Sequence, residues 1–139
     1  AILLSSEGND TDIILSGGAI SNDANHISGP SRTGDGLYLA IRQAMEEAAV
    51  LAEDVSFMNT HGTATVYNDE MESKAIHLAG LETVPVHSLK SYFGHTLGAS
   101  GVIESIICIH ELKENVLFGT LSPVSACLFW CKLTIRKYP

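Results

Sequence analysis

Between Val84 and His110 the sequence changes its period once, and that change sets the fold class. Val84-Pro-Val-His-Ser-Leu89 is short, rich in β-branched residues and bounded by turn formers, the pattern of a buried strand. Lys90 to Leu97 then forms a loop carrying a lysine and a histidine. Gly98, Ser100 and Gly101 let the backbone turn closely into Val102-Ile103-x-x-Ile106-Ile107-x-x-His110, an apolar run at helical spacing. A helix starting there aims its free N–H groups and positive dipole end back at the loop. Lys90 and His95, five residues apart, are expected to meet in front of that pole, where developing negative charge would be held.

The rest of the chain repeats the alternation. Asp12-Ile-Ile-Leu-Ser16 reads as a strand, and Ser21 to Gly36, with His26 and Pro30, as a loop. Leu37 to Ala52 carries an apolar helical stripe, and Val55-Ser-Phe-Met58 reads as a second strand. Asn59-Thr-His-Gly-Thr-Ala-Thr65 is the loop after it. A helix over 69–79 follows, with Asp69 and Glu70 in its first turn, where the dipole favours acids. Such alternation implies an α/β architecture with a layered, mostly parallel sheet. The helix from about Gly98 to Asn115 is apolar on more than one face and is expected to be buried centrally. Sites in such sheets gather at the carboxyl ends of strands, so the His61 loop and the Lys90–His95 loop are expected to meet. Residues 1–115 read as one domain and 116–139 as a divergent, unassigned tail.

Composition narrows the function. The 139 residues are 45% hydrophobic and 17% charged, which fits a globular chain. A formal net charge of −8 argues against nucleic acid, which wants a basic patch. No apolar run approaches the ~18 residues of a membrane span, and no leader-like segment opens the sequence. Three irregularly spaced cysteines suit a reducing, cytoplasmic setting rather than a disulfide framework. Cys127 and Cys131 read as buried small hydrophobes, and Cys108 as core on the apolar helix. His77, His87 and His110 fall within predicted helices or strands and read as structural. A zinc hydrolase built from His61, His95 and Asp69 lacks the local ligand pairs of such sites, so no metal is expected.

Two motifs carry a resemblance. Asn59-Thr-His-Gly-Thr-Ala-Thr65 with Asn68-Asp69-x-x-Glu72 resembles the first histidine motif of the β-ketoacyl-acyl-carrier-protein synthases. Lys90-Ser-x-x-Gly-His95-x-x-Gly-Ala-x-Gly101-x-x-Glu104 resembles their lysine and second-histidine motif. His26, in Asp23-Ala-Asn-His-Ile-Ser28, resembles a loop lining the pantetheine entrance. The likeness spans about residues 12–115 and implies a thiolase-like half-domain, the carboxyl-terminal half of a synthase. The family's nucleophilic cysteine lies in an amino-terminal half that these residues do not represent. The closing glycine-rich segment with its gatekeeping phenylalanine is likewise not matched.

The resemblance implies an acyltransferase that performs decarboxylative condensation of malonyl thioester onto an acylated cysteine, in fatty acid or polyketide synthesis. His61 and His95, as neutral imidazoles, would donate hydrogen bonds to the enolate oxygen. Lys90 would set the field and Glu104, taken to lie in the first turn of the following helix, would pair with it. Thr63 and Thr65 would meet the amides of a pantetheine arm. No cofactor is expected to be bound, because the substrates ride on the phosphopantetheine of acyl carrier protein. That protein is the implied partner, together with a second copy in a homodimer or a complementary amino-terminal half. The isolated chain is expected to be inactive in condensation. A non-catalytic partner subunit resembling the chain-length factors is the alternative, but such proteins tend to lose the histidines that this chain keeps. The glycines at 98–101 match neither the phosphate-loop nor the dinucleotide fingerprint.

Overall fold

A computed structural model describes residues 2–9, 11–23, 29 and 31–121. Helix α1 spans Asp35–Ala48 and strand β1 Met58–Asn59. Helix α2 spans Val66–Leu78 and strand β2 Val86–His87. The short helix α3, Lys90–Phe93, and the long helix α4, Ser100–Glu114, follow. Short 3-10 turns at Ala52–Asp54 and Leu97–Ala99 precede β1 and α4 respectively. β1 and β2 pair in parallel, with Met58 opposite Val86 and Asn59 opposite His87. A parallel pair needs a crossover, and α2 supplies it. The α/β class and the parallel sheet therefore stand.

Several expected elements differ in extent or kind. Asp12–Ser16 forms no strand among the described residues; Ile14 and Leu15 are 79% and 72% exposed. An extended segment without a neighbouring strand has no ladder to join, and this one is instead held by its glycines. A Cβ on Gly17 would stand 2.5 Å from the Ala44 carbonyl oxygen, so the segment lies flush on α1. The backbone N–H of Gly18 donates to Glu47 Oε2 at 2.8 Å. Helix α1 stops at Ala48 rather than Ala52, because Ala49 turns left-handed at φ 55°. Helix α2 begins at Val66, three residues ahead of the expected start, with Asp69 in its first turn. The segment after Leu89 is not simply a loop, since α3 occupies Lys90–Phe93.

The helix expected at the centre, α4, is only partly covered among the described residues. Within the described residues Glu111 is the one α4 position that is fully buried, and Val102 is 38% exposed. Its apolar faces are only partly covered by what surrounds them here. The described core is small: Ala75, Leu81, Val84 and Leu89. Buried polar groups sit beside it, namely Glu72, His87, Ser88, Lys90 and Glu111. α1 reaches α2 through Gly34, whose φ of 78° and missing Cβ allow contact with Met71 and Ala75. The start of the tail folds back: Thr120 Oγ1 accepts from the Ser88 N–H at 2.9 Å, and Tyr92 Oη donates to the Gly119 carbonyl at 2.6 Å. Among the described residues no helix is long and apolar enough to cross a membrane.

Candidate active site

Because β1 and β2 are parallel, the chain leaves both at the same edge of the sheet. The first exit turns sharply. Thr60 N–H donates to the His87 carbonyl at 2.9 Å, and the next residues bend with Gly62 at φ 43°. A Cβ on Gly62 would fall 2.4 Å from Ser88 Cβ, so glycine alone lets the two exits lie this close. Glu72 on α2, buried at 7% exposure, fixes the turn from below. Its Oε1 accepts from the His61 N–H at 2.7 Å and its Oε2 from the Gly62 N–H at 2.8 Å. Ser88 Oγ adds a bond to the Gly62 carbonyl at 3.0 Å. His61 thus leaves a backbone clamped on both sides.

The second exit places a cation below the surface. Lys90 opens α3 with its side chain 6% exposed, and Nζ lies 2.6 Å from Glu104 Oε1. Glu104 Oε2 accepts from Asn59 Nδ2 at 2.9 Å, so one carboxylate ties α4 to both strand exits. Glu104 stands in the second turn of α4, not the first, since the helix starts at Ser100. Lys90 Nζ is thus paired with the Glu104 carboxylate.

His95 follows Gly94, whose φ of 72° ends α3. The Leu97 N–H donates to His95 Nδ1 at 3.1 Å, and Ser100 Oγ lies 3.4 Å from the same atom. A nitrogen that accepts carries no proton, so the neutral ring holds its proton on Nε2 and can donate from there. The rings of His61 and His95 meet edge to face, with centroids 5.1 Å apart and planes at 81°. Both residues are exposed at the sheet edge. The expected juxtaposition of the two loops is therefore present in the structure. Thr63 and Thr65 share a hydroxyl contact of 3.1 Å in the same loop, and Asn68 Nδ2 reaches Thr63 Oγ1 at 3.3 Å. His26, Cys127 and Cys131 lie outside the described residues.

The remaining titratable groups near α4 behave differently. Cys108 is half-buried, and burial with the adjacent Glu111 carboxylate pushes its thiol up to about 12. A thiol protonated at neutral pH is a poor nucleophile. Burial also lowers the pKa of His87, against the pull of Glu111, so its ring stays neutral. His110 is exposed, as is His77, which lies 3.7 Å from Glu82. Sequence reasoning gave no role to Glu72, Asn59 or Ser88. The signal for Glu72 was present, an acid eleven residues after His61 that returns one crossover later to its backbone.

Paired histidines at the carboxyl edge of parallel strands, backed by a buried lysine–glutamate pair, mark a thiolase-like α/β half-domain. The family model described as "Beta-ketoacyl synthase, C-terminal domain" matches residues 13–123. The chain belongs to the β-ketoacyl synthase family. It is 39% identical over 110 residues to 3-oxoacyl-[acyl-carrier-protein] synthase 2 of Vibrio cholerae serotype O1, covering 76% of this chain and 27% of that protein. It is 36% identical over 119 residues to the polyketide biosynthesis malonyl-ACP decarboxylase of Bacillus subtilis strain 168, covering 84% and 28%. Among solved structures, a ketosynthase in complex with its chain length factor from Xenorhabdus doucetiae superposes with TM-score 0.75 at 35% identity, covering 90% of this chain and 32% of that one. A type II polyketide acyl carrier protein in complex with its ketosynthase gives TM-score 0.70 at 31% identity, covering 78% and 29%. The chain thus spans about 27–28% of the curated relatives it matches.

Proposed function

We propose that this chain is the carboxyl-terminal half of a 3-oxoacyl-[acyl-carrier-protein] synthase and supplies the decarboxylation and enolate-holding side of the condensation. The observation that carries the reading is the edge-to-face pair of His61 and His95, with the His95 proton fixed on Nε2 by the Leu97 N–H. Loss of carbon dioxide from a malonyl thioester leaves its electron pair as an enolate, with charge on the thioester oxygen. Two neutral imidazoles donate to that oxygen, and each donor is worth about 2.7–4 kcal/mol in the transition state. The enolate carbon then attacks an acyl-cysteine thioester, and the cysteine leaves as thiolate.

Lys90, Glu104 and Asn59 act beneath this pair. The net-neutral Lys90–Glu104 pair orients the lysine ammonium near the edge and, through Asn59, ties the two strand exits together. Glu72 serves as a positioning residue for the His61 backbone. Thr63 and Thr65 present hydroxyls for the amides of a phosphopantetheine arm carried by acyl carrier protein, and His26 belongs to the entrance of that arm. No bound cofactor takes part in this reading.

The resemblance to the family puts the nucleophilic cysteine in an amino-terminal half, and Cys108, whose thiol burial pushes up to about 12, suits that role poorly. The same reading takes residues 1–115 as the domain and 116–139 as a divergent tail whose start folds back on the β2–α3 corner. Exposed Leu3, Ile14, Ile20 and Leu97 offer apolar surface to that other half or to a second copy. The setting is cytoplasmic fatty acid or polyketide synthesis. A chain-length-factor-like subunit is the weaker reading, because both imidazoles are in place.

The test incubates the purified chain with acyl- and malonyl-carrier protein and follows both by mass. The expected result is no 3-oxoacyl product and at most trace acetyl-carrier protein, since water enters a site lacking its other wall. Condensation product abolished by Cys108→Ala would overturn the assignment of the nucleophile.

A further inference from the structure

Helix α4 carries a second polar cluster beside the Lys90–Glu104 pair. Glu111 follows Glu104 by seven residues, close to two turns, so both lie along one side of the helix. Cys108 stands one turn before Glu111, and His87 of β2 faces both. One donor atom from each of His87, Cys108 and Glu111 lies within 4.8 Å of the other two. His87 is 2% exposed and Glu111 1%.

These groups are poorly partnered. Among the described residues no partner of good hydrogen-bond geometry meets either ring nitrogen of His87 or Glu111 Oε2, although the Phe118 backbone lies against the His87 ring and the Cys108 thiol against the Glu111 carboxylate, each close enough to shift its neighbour's pKa. Glu111 Oε1 accepts from the Phe118 N–H at 2.8 Å, which leaves its other oxygen turned to the imidazole. His87 Nε2 and Glu111 Oε2 stand 3.5 Å apart without hydrogen-bond geometry. That separation fits the edge of about 3.4 Å in a tetrahedron whose bonds to metal are about 2.1 Å. Buried polar atoms of this kind are normally satisfied by something.

We propose that His87, Cys108 and Glu111 form a structural site for a thiophilic divalent cation of the Zn2+ class, clamping β2 to α4 behind the Lys90–Glu104 pair. The donor set is one imidazole nitrogen, one sulfur and one carboxylate oxygen, which suits zinc-class ions and not Mg2+ or Ca2+. Binding releases the Cys108 thiol proton to solvent, so thiolate, carboxylate and dication sum to zero charge. A water or a main-chain carbonyl completes the fourth position. The site uses none of the residues assigned to the reaction, and its test does not read catalysis.

The test strips the full 139-residue chain with a chelator and titrates it with Co2+ as a spectroscopic stand-in. The expected result is one equivalent bound, with visible tetrahedral bands and a thiolate-to-cobalt charge-transfer band, both displaced by Zn2+. Cys108→Ser removes the charge-transfer band, and Glu111→Gln weakens binding by at least about tenfold. A Cys127→Ser/Cys131→Ser double variant keeps the spectrum. Should Cys108→Ser fail to fold by circular dichroism, the wild-type chain still decides: one equivalent of Zn2+ must raise its urea unfolding midpoint, and chelator must reverse the shift. Absence of stoichiometric binding, a charge-transfer band that survives Cys108→Ser, or a wild-type midpoint indifferent to Zn2+ overturns the proposal.

Discussion

Two carboxylates on the same side of α4 meet opposite treatment. Glu104 has a partner for each oxygen, Lys90 Nζ at 2.6 Å and Asn59 Nδ2 at 2.9 Å. Glu111, more deeply buried, accepts the Phe118 N–H on one oxygen, has only the weak Cys108 thiol beside it, and faces a histidine without hydrogen-bond geometry. Two turns apart, one helix therefore holds a carboxylate closed at both oxygens and an open one, although Asn59 Oδ1 beside the first has no partner among the described residues. The closed network contains its cation as a side chain. The open one has donors for a cation that the protein itself does not supply. A buried acid is stable only when the countercharge is supplied, by whatever route.

The largest effect should come from opening the closed network. Lys90→Ala leaves the Glu104 carboxylate, 13% exposed, without its cation and should cost about 3 kcal/mol in urea unfolding. A Lys90→Met/Glu104→Leu pair should recover most of that loss; if it does not, the ion pair is not what holds the strand exits together. Next in size is Glu72→Ala, which removes the acceptor of two backbone N–H groups. A cost of about 2–3 kcal/mol is expected. Amide exchange at His61 and Gly62 should accelerate in that variant while α1 stays protected, and uniform acceleration would contradict a local clamp.

The same substitution applied to both acids sharpens the contrast. Glu104→Gln should cost at least about 2 kcal/mol, since hydrogen bonds to charged groups are the strong ones. Glu111→Gln in chelator should change stability by less than about 1 kcal/mol, because the amide oxygen can still accept from the Phe118 N–H. Equal losses would erase the distinction between the two networks. The smallest effect is kinetic. In chelator at pH 7–8, Cys108 should resist iodoacetamide, because its thiol is held up at about 12 and stays protonated across that range. Loss of that protection on unfolding in urea identifies burial as the cause.

Much of this was legible in the sequence, and the rest failed for local reasons. The parallel pairing followed from alternation, and the meeting of the His61 and Lys90–His95 loops followed from strand polarity. Both rest on order along the chain. What was not legible depends on neighbours. Asp12–Ser16 has strand composition but no ladder to join among the described residues. The apolar faces of α4 suggest full burial, yet the described chain covers them only in part. Glu111 lies in the last turn of α4, where side chains are usually solvated; its contacts with His87 and Phe118 are ones no periodicity predicts. Glu104 is the fifth residue of α4 and so falls in its second turn; from the expected start near Gly98 it would fall in the second turn as well, so the first-turn placement miscounts the helix period.

The central claim is that His61 and His95 together hold the enolate. It is tested most directly in a chimera where residues 12–115 replace the matching segment of the Vibrio cholerae synthase. Acyl loading of the chimera serves as the folding control. The rate of malonyl-carrier-protein decarboxylation is then measured with and without His61→Ala and His95→Ala. The account predicts that each variant loses about 10²–10³-fold in rate while acyl loading persists. Decarboxylation unchanged by either substitution, in a chimera that still loads its acyl group, would contradict it.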